Sequence, residues 1–457
     1  VMPCEGDSSS KLIIKLSNGY NLGIDSRNIQ SIKVIERYKE VKEKPTPNQS
    51  NNSKQSTKKG LPTISLLHTG GTIASKVDYR TGGVVARFSP EDIVNMFPEL
   101  GEIVNINSRL IGNMWTEDYR FKHFTSIAKE IIKEHKKGVS GVIVTLGTDF
   151  MTYCATALAF MLHGIDIPII LTGAQRSSDR GSSDAAMNLI CASEFIAQLN
   201  TVNSPKGSKF RGVAICMHET QSDISCAILP ACKTRKMHSS RRDAFRSINT
   251  SPIARVNYET RAITWIDEEL QRNLMLNKEG KEEQHQKWNG SNSNSFTPLI
   301  KMDEKVGLIK THPNMSPKQF SCFKGYKGLV IEGSGLGHAP TGAPSKEAKP
   351  NLKILAEIKK LIQSGTIVVM ASQCIYGAVN MNIYSRGREL LDLGIIEAKC
   401  LPETALLKLS WLLGNYAKEM SSKKNNKERD RKSAQELIEK DFANEMFYRV
   451  EDNTFLI

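Results

Sequence analysis

The sequence from residue 64 to residue 74 decides the fold, and it is Ile64-Ser65-Leu66-Leu67-His68-Thr69-Gly70-Gly71-Thr72-Ile73-Ala74. A short apolar run is followed by a threonine, two glycines and a second threonine. The run predicts a buried strand, and the glycines allow the backbone a sharp turn and a close approach to a ligand. Because open α/β sheets bind ligands at the carboxyl ends of their strands, the stretch predicts a functional site at this turn.

The same arrangement recurs along the chain. The runs Val142–Leu146 and Ile167–Leu171 predict strands, and they are followed by Gly147-Thr148-Asp149 and by Thr172-Gly173-Ala174. Helical patterns lie between and around them near Pro90–Phe97, Arg120–His135, Met151–Leu162 and Asp184–Leu199. Apolar strands alternating with helices predict a parallel sheet that is covered on both faces.

Changes in composition divide the chain into five segments. We expect a small β domain at 1–36, a polar linker at 37–60, a first α/β domain carrying the active site at 61–268, a polar connector at 269–303, and a second α/β domain at 304–457. The first residue is Val1 and not a methionine, so we expect that the true N-terminus is missing or processed. The last domain contains a basic stretch, Lys418–Lys432, followed by a predicted amphipathic helix around Ala434–Met446.

Composition limits the classes of protein to which the chain can belong. It has 457 residues, 39% of them hydrophobic, and a formal net charge of +14. This balance excludes a wholly disordered chain, and no apolar run is long enough to cross a membrane. The nine cysteines are scattered without a CxxC pair, which predicts reduced thiols in the cytoplasm and no zinc site. The positive charge favours a nucleic-acid partner.

The polar residues at the strand ends suit nucleophilic catalysis. A threonine hydroxyl is a weak nucleophile until a base removes its proton, and a neutral lysine can do so. Asp149 follows Thr148 directly and could orient such a lysine, for which Lys236 is the candidate, with Arg235 close by. The alternative is that the glycines form ordinary turns and the threonines cap helices.

These motifs resemble the two signatures of the asparaginase/glutaminase amidohydrolase family. Within it, four further stretches are similar to the D-type glutaminase chains of the archaeal tRNA-dependent amidotransferases: Asn18–Ile24, Gly173–Arg180, Arg235–Phe245 and Ser372–Gly377. The resemblance implies a two-lobed asparaginase-like α/β fold with parallel sheets, preceded by a small β-barrel-like N-terminal domain. The active site would lie at the carboxyl end of the larger sheet.

The resemblance also implies roles for individual residues. Thr72 would be the nucleophile that becomes acylated. Thr148, Asp149 and Lys236 match a second catalytic set, in which the lysine and the aspartate activate a hydroxyl. Tyr79 matches a tyrosine that closes over the nucleophile from the loop Val77–Gly83.

Substrate-binding residues are implied in the same way. Thr116 and Glu117 match a segment that grips the α-carboxylate and the amine of the substrate, and the carboxylate of Glu117 suits an ammonium group. Backbone N–H groups at Gly71 and Ala174 would hold the oxyanion of the tetrahedral intermediate. No metal ligands are expected.

The function that the resemblance implies is glutamine hydrolysis for a carbon–nitrogen ligase. The chain would supply ammonia to an E-type amidotransferase partner, which uses ATP and Mg²⁺ to convert Glu-tRNA(Gln) into Gln-tRNA(Gln). The resemblance further implies a cytoplasmic protein, a homodimer, and no cofactor in this chain or contact with a membrane.

Two alternatives remain open. One is a free-standing L-asparaginase or glutaminase, against which the N-terminal β unit argues. The other is a non-catalytic tRNA-binding scaffold. The second signature of the family usually reads HGTDT, whereas this chain has Leu146 and Phe150 at the two outer positions. These two replacements are the only support for a loss of activity. They favour an altered activity over a lost one. The basic stretch Lys418–Lys432 fits a solvated face or an RNA contact equally well.

Overall fold

A computed structural model of the chain describes residues 11–15, 21–33, 58–77, 84–86, 96–178, 182–199, 210–266, 296–420 and 427–448. The strands are β1 (Lys11–Lys15), β2 (Asn21–Asp25), β3 (Thr63–His68), β4 (Ser75–Val77), β5 (Val84–Ala86), β6 (Asn105–Leu110), β7 (Gly141–Thr145), β8 (Pro168–Thr172), β9 (Gly212–His218), β10 (Ser225–Pro230), β11 (Thr234–Lys236), β12 (Phe245–Ser247), β13 (Ala254–Asn257), β14 (Ile263–Trp265), β15 (Val306–Lys310), β16 (Gly328–Gly333), β17 (Ile367–Ser372) and β18 (Ile396–Glu397).

The α-helices are α1 (Leu100–Ile103), α2 (Phe121–Lys136), α3 (Met151–Met161), α4 (Ala185–Leu199), α5 (Pro317–Ser321), α6 (Pro350–Gln363), α7 (Ser385–Leu393), α8 (Pro402–Asn415), α9 (Ala417–Met420) and α10 (Lys427–Glu439). The helix expected near Pro90–Phe97 falls mostly outside the described residues. The other helices expected in the first lobe lie within one residue of their predicted ends.

The first lobe is built on an eight-stranded sheet in the order β14-β13-β10-β9-β8-β7-β3-β6. Strands β6, β3, β7, β8 and β9 run parallel, as the alternation of strands and helices predicts. Beyond β9 the pairing becomes antiparallel. Six residues, 219–224, separate β9 from β10. A connection this short can form a hairpin but cannot cross over to a parallel neighbour.

Both faces of this sheet are buried under helices. Every residue of β7 and β8 is buried. Val142 and Val144 pack into one apolar cluster with α2 and α3, whereas Ile143 packs into a second cluster with α1 and α4. This alternation follows from the two-residue period of a strand, and it fixes the carboxyl ends of the strands at one edge of the lobe.

The second lobe is a four-stranded parallel sheet in the order β15-β16-β17-β18. Helix α8 lies between the two lobes, since its residues share an apolar cluster with α3 and with strands of both sheets. The rings of Phe160 on α3 and Trp411 on α8 stack with their centroids 5.5 Å apart. The two lobes therefore share a continuous core.

Two terminal segments complete the description. Strands β1 and β2 pair antiparallel and a 3-10 turn, Ser26–Asn28, follows β2, while residues 1–10, 16–20 and 34–36 of the expected N-terminal barrel-like domain lie outside the described residues. At the other end, the helix expected around Ala434–Met446 begins earlier, at Lys427, and ends at Glu439. In the segment after the helix, Asn444 adopts a positive φ of 57° and the Glu445 carboxylate accepts hydrogen bonds from the N–H groups of Phe442 and Ala443.

Candidate active site

Three glycines bring the loops after β3, β7 and β8 together. A Cβ on Gly71, whose φ is +87°, would lie 2.3 Å from the backbone N of Gly147. A Cβ on Gly173 would lie 2.5 Å from the carbonyl O of Leu146. Only residues without a side chain permit backbones to approach this closely. The three sequence motifs thus meet in space, with Thr72 and Thr148 on loops that contact each other.

Lys236 reaches this meeting point from the end of β11. Its Nζ lies 2.9 Å from Oγ1 of Thr148 and 2.8 Å from Oδ1 of Asp149. The Lys236 side chain is 12% exposed, while that of Asp149 is 56% exposed. Thr148 is buried. The three residues expected to form the second catalytic set are therefore in direct contact, and a neutral Lys236 would be placed to accept a proton from the Thr148 hydroxyl.

Thr72 opens a 3-10 turn, Thr72–Ala74, immediately after Gly71. Its side chain is partly buried, and its neighbour Ile73 is fully buried. The hydroxyl of Ser178 donates a hydrogen bond to the carbonyl O of Ile73 over 2.5 Å. The turn is thereby fixed to the loop after β8.

The first threonine of the turn has a structural environment. Thr69 Oγ1 donates to the carbonyl O of Thr145 over 3.0 Å and accepts from the Tyr119 hydroxyl over 2.7 Å. The preceding His68 lies 2.6 Å from Thr145 Oγ1, and burial lowers the pKa of His68 to about 4. The Thr69 hydroxyl thus both donates and accepts a hydrogen bond within the protein.

Thr116 and Glu117 lie on a 3-10 turn, Thr116–Asp118, beside the second motif. Thr116 is buried; its Oγ1 donates to Oε2 of Glu117 over 3.0 Å and accepts from the N–H of Phe150 over 3.3 Å. A Cβ on Gly147 would lie 3.1 Å from Cγ2 of Thr116. Thr116 therefore contacts the loop that carries Thr148, and it holds the exposed carboxylate of the adjacent Glu117 beside that loop.

The loop at Ala174 is fixed by a carboxylate that sequence reasoning did not single out. Asp184 is fully buried, and its two oxygens accept hydrogen bonds from the N–H of Gln175, each over 3.0 Å. It also accepts from the N–H of Arg176 over 3.0 Å. The signal that could have found it is an acidic residue at the start of a predicted helix, because a carboxylate at such a position often accepts hydrogen bonds from backbone N–H groups. Ala174 itself is fully buried.

Tyr79 and most of its loop, residues 78–83, lie outside the described residues, and so do Asp179 and Arg180. The two departures from the family's second signature lie in different surroundings. Leu146 is fully buried in the apolar cluster of α2 and α3, whereas Phe150 is 38% exposed and its ring meets that of Tyr153 with centroids 5.2 Å apart.

The arginines around Lys236 form ion pairs within the protein. Arg241 and Arg246 both pair with Asp243, over 2.8 and 2.9 Å, and Arg242 pairs with Asp223 over 2.5 Å. Hydrogen bonds from Arg241 hold the pKa of the Asp243 carboxyl far below its usual range. These pairs fix the turn between β11 and β12 and place a carboxylate beside each of its three arginines.

A cavity of about 370 Å³ lies behind the turn after β3 and is lined in part by Thr69, Met114 and Tyr119. Thr148, Asp149 and Lys236 are not among its lining residues. In the parts of the chain that the structure describes, no cluster of histidine, cysteine or acidic residues could hold a metal ion. Among the same residues, no helix has the length and apolar character that crossing a membrane requires.

Comparisons with known proteins place the chain in a family. The family model for the asparaginase N-terminal domain matches residues 63–270 of this chain. The family model for the glutaminase/asparaginase C-terminal domain matches residues 305–424, and the family model for the GatD N-terminal domain matches residues 1–35. The D subunit of the glutamyl-tRNA(Gln) amidotransferase of Pyrococcus furiosus is 40% identical over 100% of this chain and 92% of its own length. The corresponding D subunit of one Methanococcus maripaludis strain is 38% identical over 93% of this chain and 92% of its own length. The chain belongs to this GatD family.

Solved structures confirm the fold expected for a member of this family. The thermostable L-asparaginase from Thermococcus kodakarensis superimposes with a TM-score of 0.64 at 25% identity, covering 84% of this chain and 99% of that one. A probable cytoplasmic L-asparaginase from Campylobacter jejuni superimposes with a TM-score of 0.59 at 23% identity, covering 82% of this chain and 99% of that one. The predicted asparaginase-like α/β fold and the resemblance to the D-type chains are thus both confirmed.

Proposed function

We propose that this chain is the glutaminase subunit of a tRNA-dependent amidotransferase. It hydrolyses the side-chain amide of glutamine, and its partner uses the ammonia to convert Glu-tRNA(Gln) into Gln-tRNA(Gln). The observation that carries the proposal is the contact of Lys236 Nζ with both Thr148 Oγ1 and Asp149 Oδ1. It occurs in a chain that is 40% identical over its whole length to a protein named as the D subunit of such an enzyme.

In the proposed reaction the Thr72 hydroxyl attacks the amide carbon of glutamine. Its proton passes through the Thr148 hydroxyl to a neutral Lys236, and Asp149 stabilises the ammonium that forms. The proton then goes to the leaving nitrogen, the carbon–nitrogen bond breaks, and ammonia departs from an acyl ester on Thr72. Water activated by the same set hydrolyses the ester to glutamate and restores Thr72.

The remaining site residues bind the substrate in this proposal. Glu117 pairs with the substrate's ammonium group, and Thr116 contributes to holding its α-amino-acid end. Backbone N–H groups at Gly71 and Ala174 stabilise the oxyanion that develops during attack. Tyr79 closes over the acylated threonine and limits the entry of water.

The partner completes the reaction. This chain uses no metal or organic cofactor for its own half-reaction, and an E-type amidotransferase partner binds ATP and Mg²⁺ and phosphorylates the γ-carboxylate of the glutamyl group on the tRNA. We also propose a homodimer that works in the cytoplasm, where charged tRNA is used.

The test is an assay of ammonia release from glutamine with three forms of the chain: wild type, Thr72→Val and Thr72→Ser. Valine removes the hydroxyl with little change of shape, whereas serine keeps it. We expect Thr72→Val to lose turnover by at least about 10³-fold and Thr72→Ser to retain a measurable rate. Equal turnover of wild type and Thr72→Val would exclude Thr72 as the nucleophile.

A second arm tests the assembly. Ammonia release is measured with and without the E-type partner, ATP and Glu-tRNA(Gln), and asparagine is supplied as the competing donor. We expect the complete mixture to accelerate glutamine hydrolysis and to yield Gln-tRNA(Gln). Full turnover by the chain alone, with no tRNA product in the complete mixture, would instead identify a free-standing amidohydrolase.

A further inference from the structure

Arg235 forms a two-bond ion pair with the second lobe. Its Nε lies 2.8 Å from Oε1 of Glu403, and its Nη2 lies 2.7 Å from Oε2 of the same carboxylate. Glu403 stands in the first turn of α8. Arg235 directly precedes Lys236 in β11, so the residue beside the proposed base is bound to a helix 168 residues further along the chain.

The pair is largely shielded from water. The side chain of Glu403 is 7% exposed and that of Arg235 is 25% exposed. Burial lowers the pKa of the Arg235 guanidinium, but the hydrogen bonds and charge of Glu403 outweigh burial and raise it. Because a buried charge without its partner is costly, each side chain fixes the other in place.

Strand β11 is short, and contacts with the second lobe lie beside it. It pairs with β12 over only three positions, of which Lys236 opposite Phe245 is the last. Successive side chains of a strand point to opposite faces, so Arg235 leaves the strand away from Lys236. A second lobe-to-lobe contact lies close by, from Thr404 Oγ1 to the carbonyl O of Cys232 over 2.8 Å. The strand that carries the base is therefore attached to α8.

We propose that Arg235 is a positioning residue whose ion pair with Glu403 keeps Lys236 within hydrogen-bond distance of Thr148. The inference rests on the proposed function, in which Lys236 is the base. It ties glutamine hydrolysis to the second lobe, so that any movement of α8 relative to the first lobe acts on the base. A displacement of about 1 Å at a catalytic group can lower the rate about 100-fold.

Charge balance adds a prediction that a structural role would not make. With Glu403→Gln, the Arg235 charge is no longer balanced and favours the neutral form of the nearby lysine. With Arg235→Met, the negative charge of the Glu403 carboxylate is no longer balanced and favours the protonated form of Lys236. The acid limb of the pH–rate profile therefore moves to lower pH in Glu403→Gln and to higher pH in Arg235→Met. It returns toward the wild-type position in the double variant.

The experiment measures kcat and KM for glutamine across the pH range in these three variants and in Arg235→Lys. We expect kcat to fall roughly 10- to 100-fold with little change in KM, and Arg235→Lys to recover part of the loss. The matched control is Asn249→Gly. It removes a different two-bond lobe-to-lobe contact, from Asn249 to the backbone of Gly377, at a residue with φ 57° that glycine tolerates. Its kcat is expected to stay near wild type.

Lys236→Met in the same assay separates the two proposals. If Lys236→Met keeps full turnover, the proposed base is wrong and the proposed mechanism fails. If Lys236→Met is inactive while Arg235→Met keeps wild-type kcat, or if both single variants move the acid limb in the same direction, only the positioning role is overturned. If thermal unfolding shows that Arg235→Met is not folded, Arg235→Lys and Glu403→Gln still give kcat and the pH profile.

Discussion

Nζ of Lys236 lies 2.9 Å from Oγ1 of Thr148, although 88 residues separate the two in the chain. Thr148 follows β7, in the middle of the large sheet, whereas Lys236 ends a three-residue strand outside that sheet. The contact joins the loop after β7 to β11, a strand that the ion pair of Arg235 with Glu403 attaches to α8. It is therefore a property of the folded lobes together and not of either motif.

Lys236→Arg tests whether this contact serves proton transfer. Arginine keeps the positive charge and can still donate hydrogen bonds, but it cannot be deprotonated in a protein. We expect ammonia release from glutamine to fall by about 10²- to 10⁴-fold, with the melting temperature close to that of wild type. Lys360→Arg, on the exposed face of α6, is the control and should behave as wild type. Retained turnover in Lys236→Arg would show that the contact is structural.

Gly71→Ala tests the close approach of the two motif loops. The added Cβ would meet the backbone of Gly147 at 2.3 Å, and the backbone cannot yield as a flexible side chain would. Gly164→Ala is the matched control, because its φ of +83° is close to the +87° of Gly71 but a Cβ there meets nothing within 4 Å. We expect Gly164→Ala to cost about 1–3 kcal/mol of unfolding free energy and to stay active. Gly71→Ala should cost more and lose turnover; equal costs in urea unfolding would contradict the clash.

The sequence predicts this site because its residues directly follow apolar runs. Thr72, Thr148 and Ala174 each come after a strand that is buried on both faces, and parallel strands deliver such residues to one edge. Lys236 is a candidate base from its chemistry alone, and the family resemblance supports the same role, whereas β11 is too short to give a pattern. The contact among Thr148, Asp149 and Lys236 is observed, and the roles of these residues stay predictions.

Other features depend on tertiary contacts that a local pattern does not contain. The sequence does not predict strand β6, because it lies at the edge of the sheet and has polar residues at most positions of Asn105-Ile106-Asn107-Ser108-Arg109-Leu110. The ion pair of Arg235 with Glu403 joins residues in different lobes, so nothing near either residue marks it. Asp184 stands at the start of a predicted helix, and its bonds to the loop at Ala174 form only when that loop folds back.

His68 makes stability depend on pH. Burial lowers the pKa of His68 from 6.5 to about 4, so it is neutral in the folded protein. Between these values the unfolded chain binds a proton that the folded chain does not, so stability falls as the pH falls from 6.5 toward 4. At about 1.36 kcal/mol per pKa unit the loss is about 3 kcal/mol. His68→Gln should flatten the curve of unfolding free energy against pH in this window, while His312→Gln at an exposed site should not. Parallel curves for wild type and His68→Gln would contradict the assignment.

Lys408 and Glu445 form an ion pair that attaches the segment after α10 to α8. Lys408 is 1% exposed and Glu445 is fully buried, with Nζ and Oε1 2.6 Å apart. Nζ also donates to the carbonyl O of Ile438 over 2.7 Å and of Lys440 over 2.5 Å. Burial raises the pKa of the Glu445 carboxyl, but the charge of Lys408 and the hydrogen bonds to the carboxylate together outweigh burial and lower it, so Glu445 is ionised.

Lys408→Met should therefore destabilise the protein by about 3–5 kcal/mol, because it leaves a carboxylate buried without a counter-charge. In Lys408→Met/Glu445→Gln the unpaired charge is gone, so the double variant should be more stable than the sum of the two single losses predicts. Urea unfolding of wild type, Lys408→Met, Glu445→Gln and the double variant measures the coupling free energy between the two side chains directly. Additive losses would mean that the two side chains stabilise the segment independently, through the backbone groups that each of them contacts.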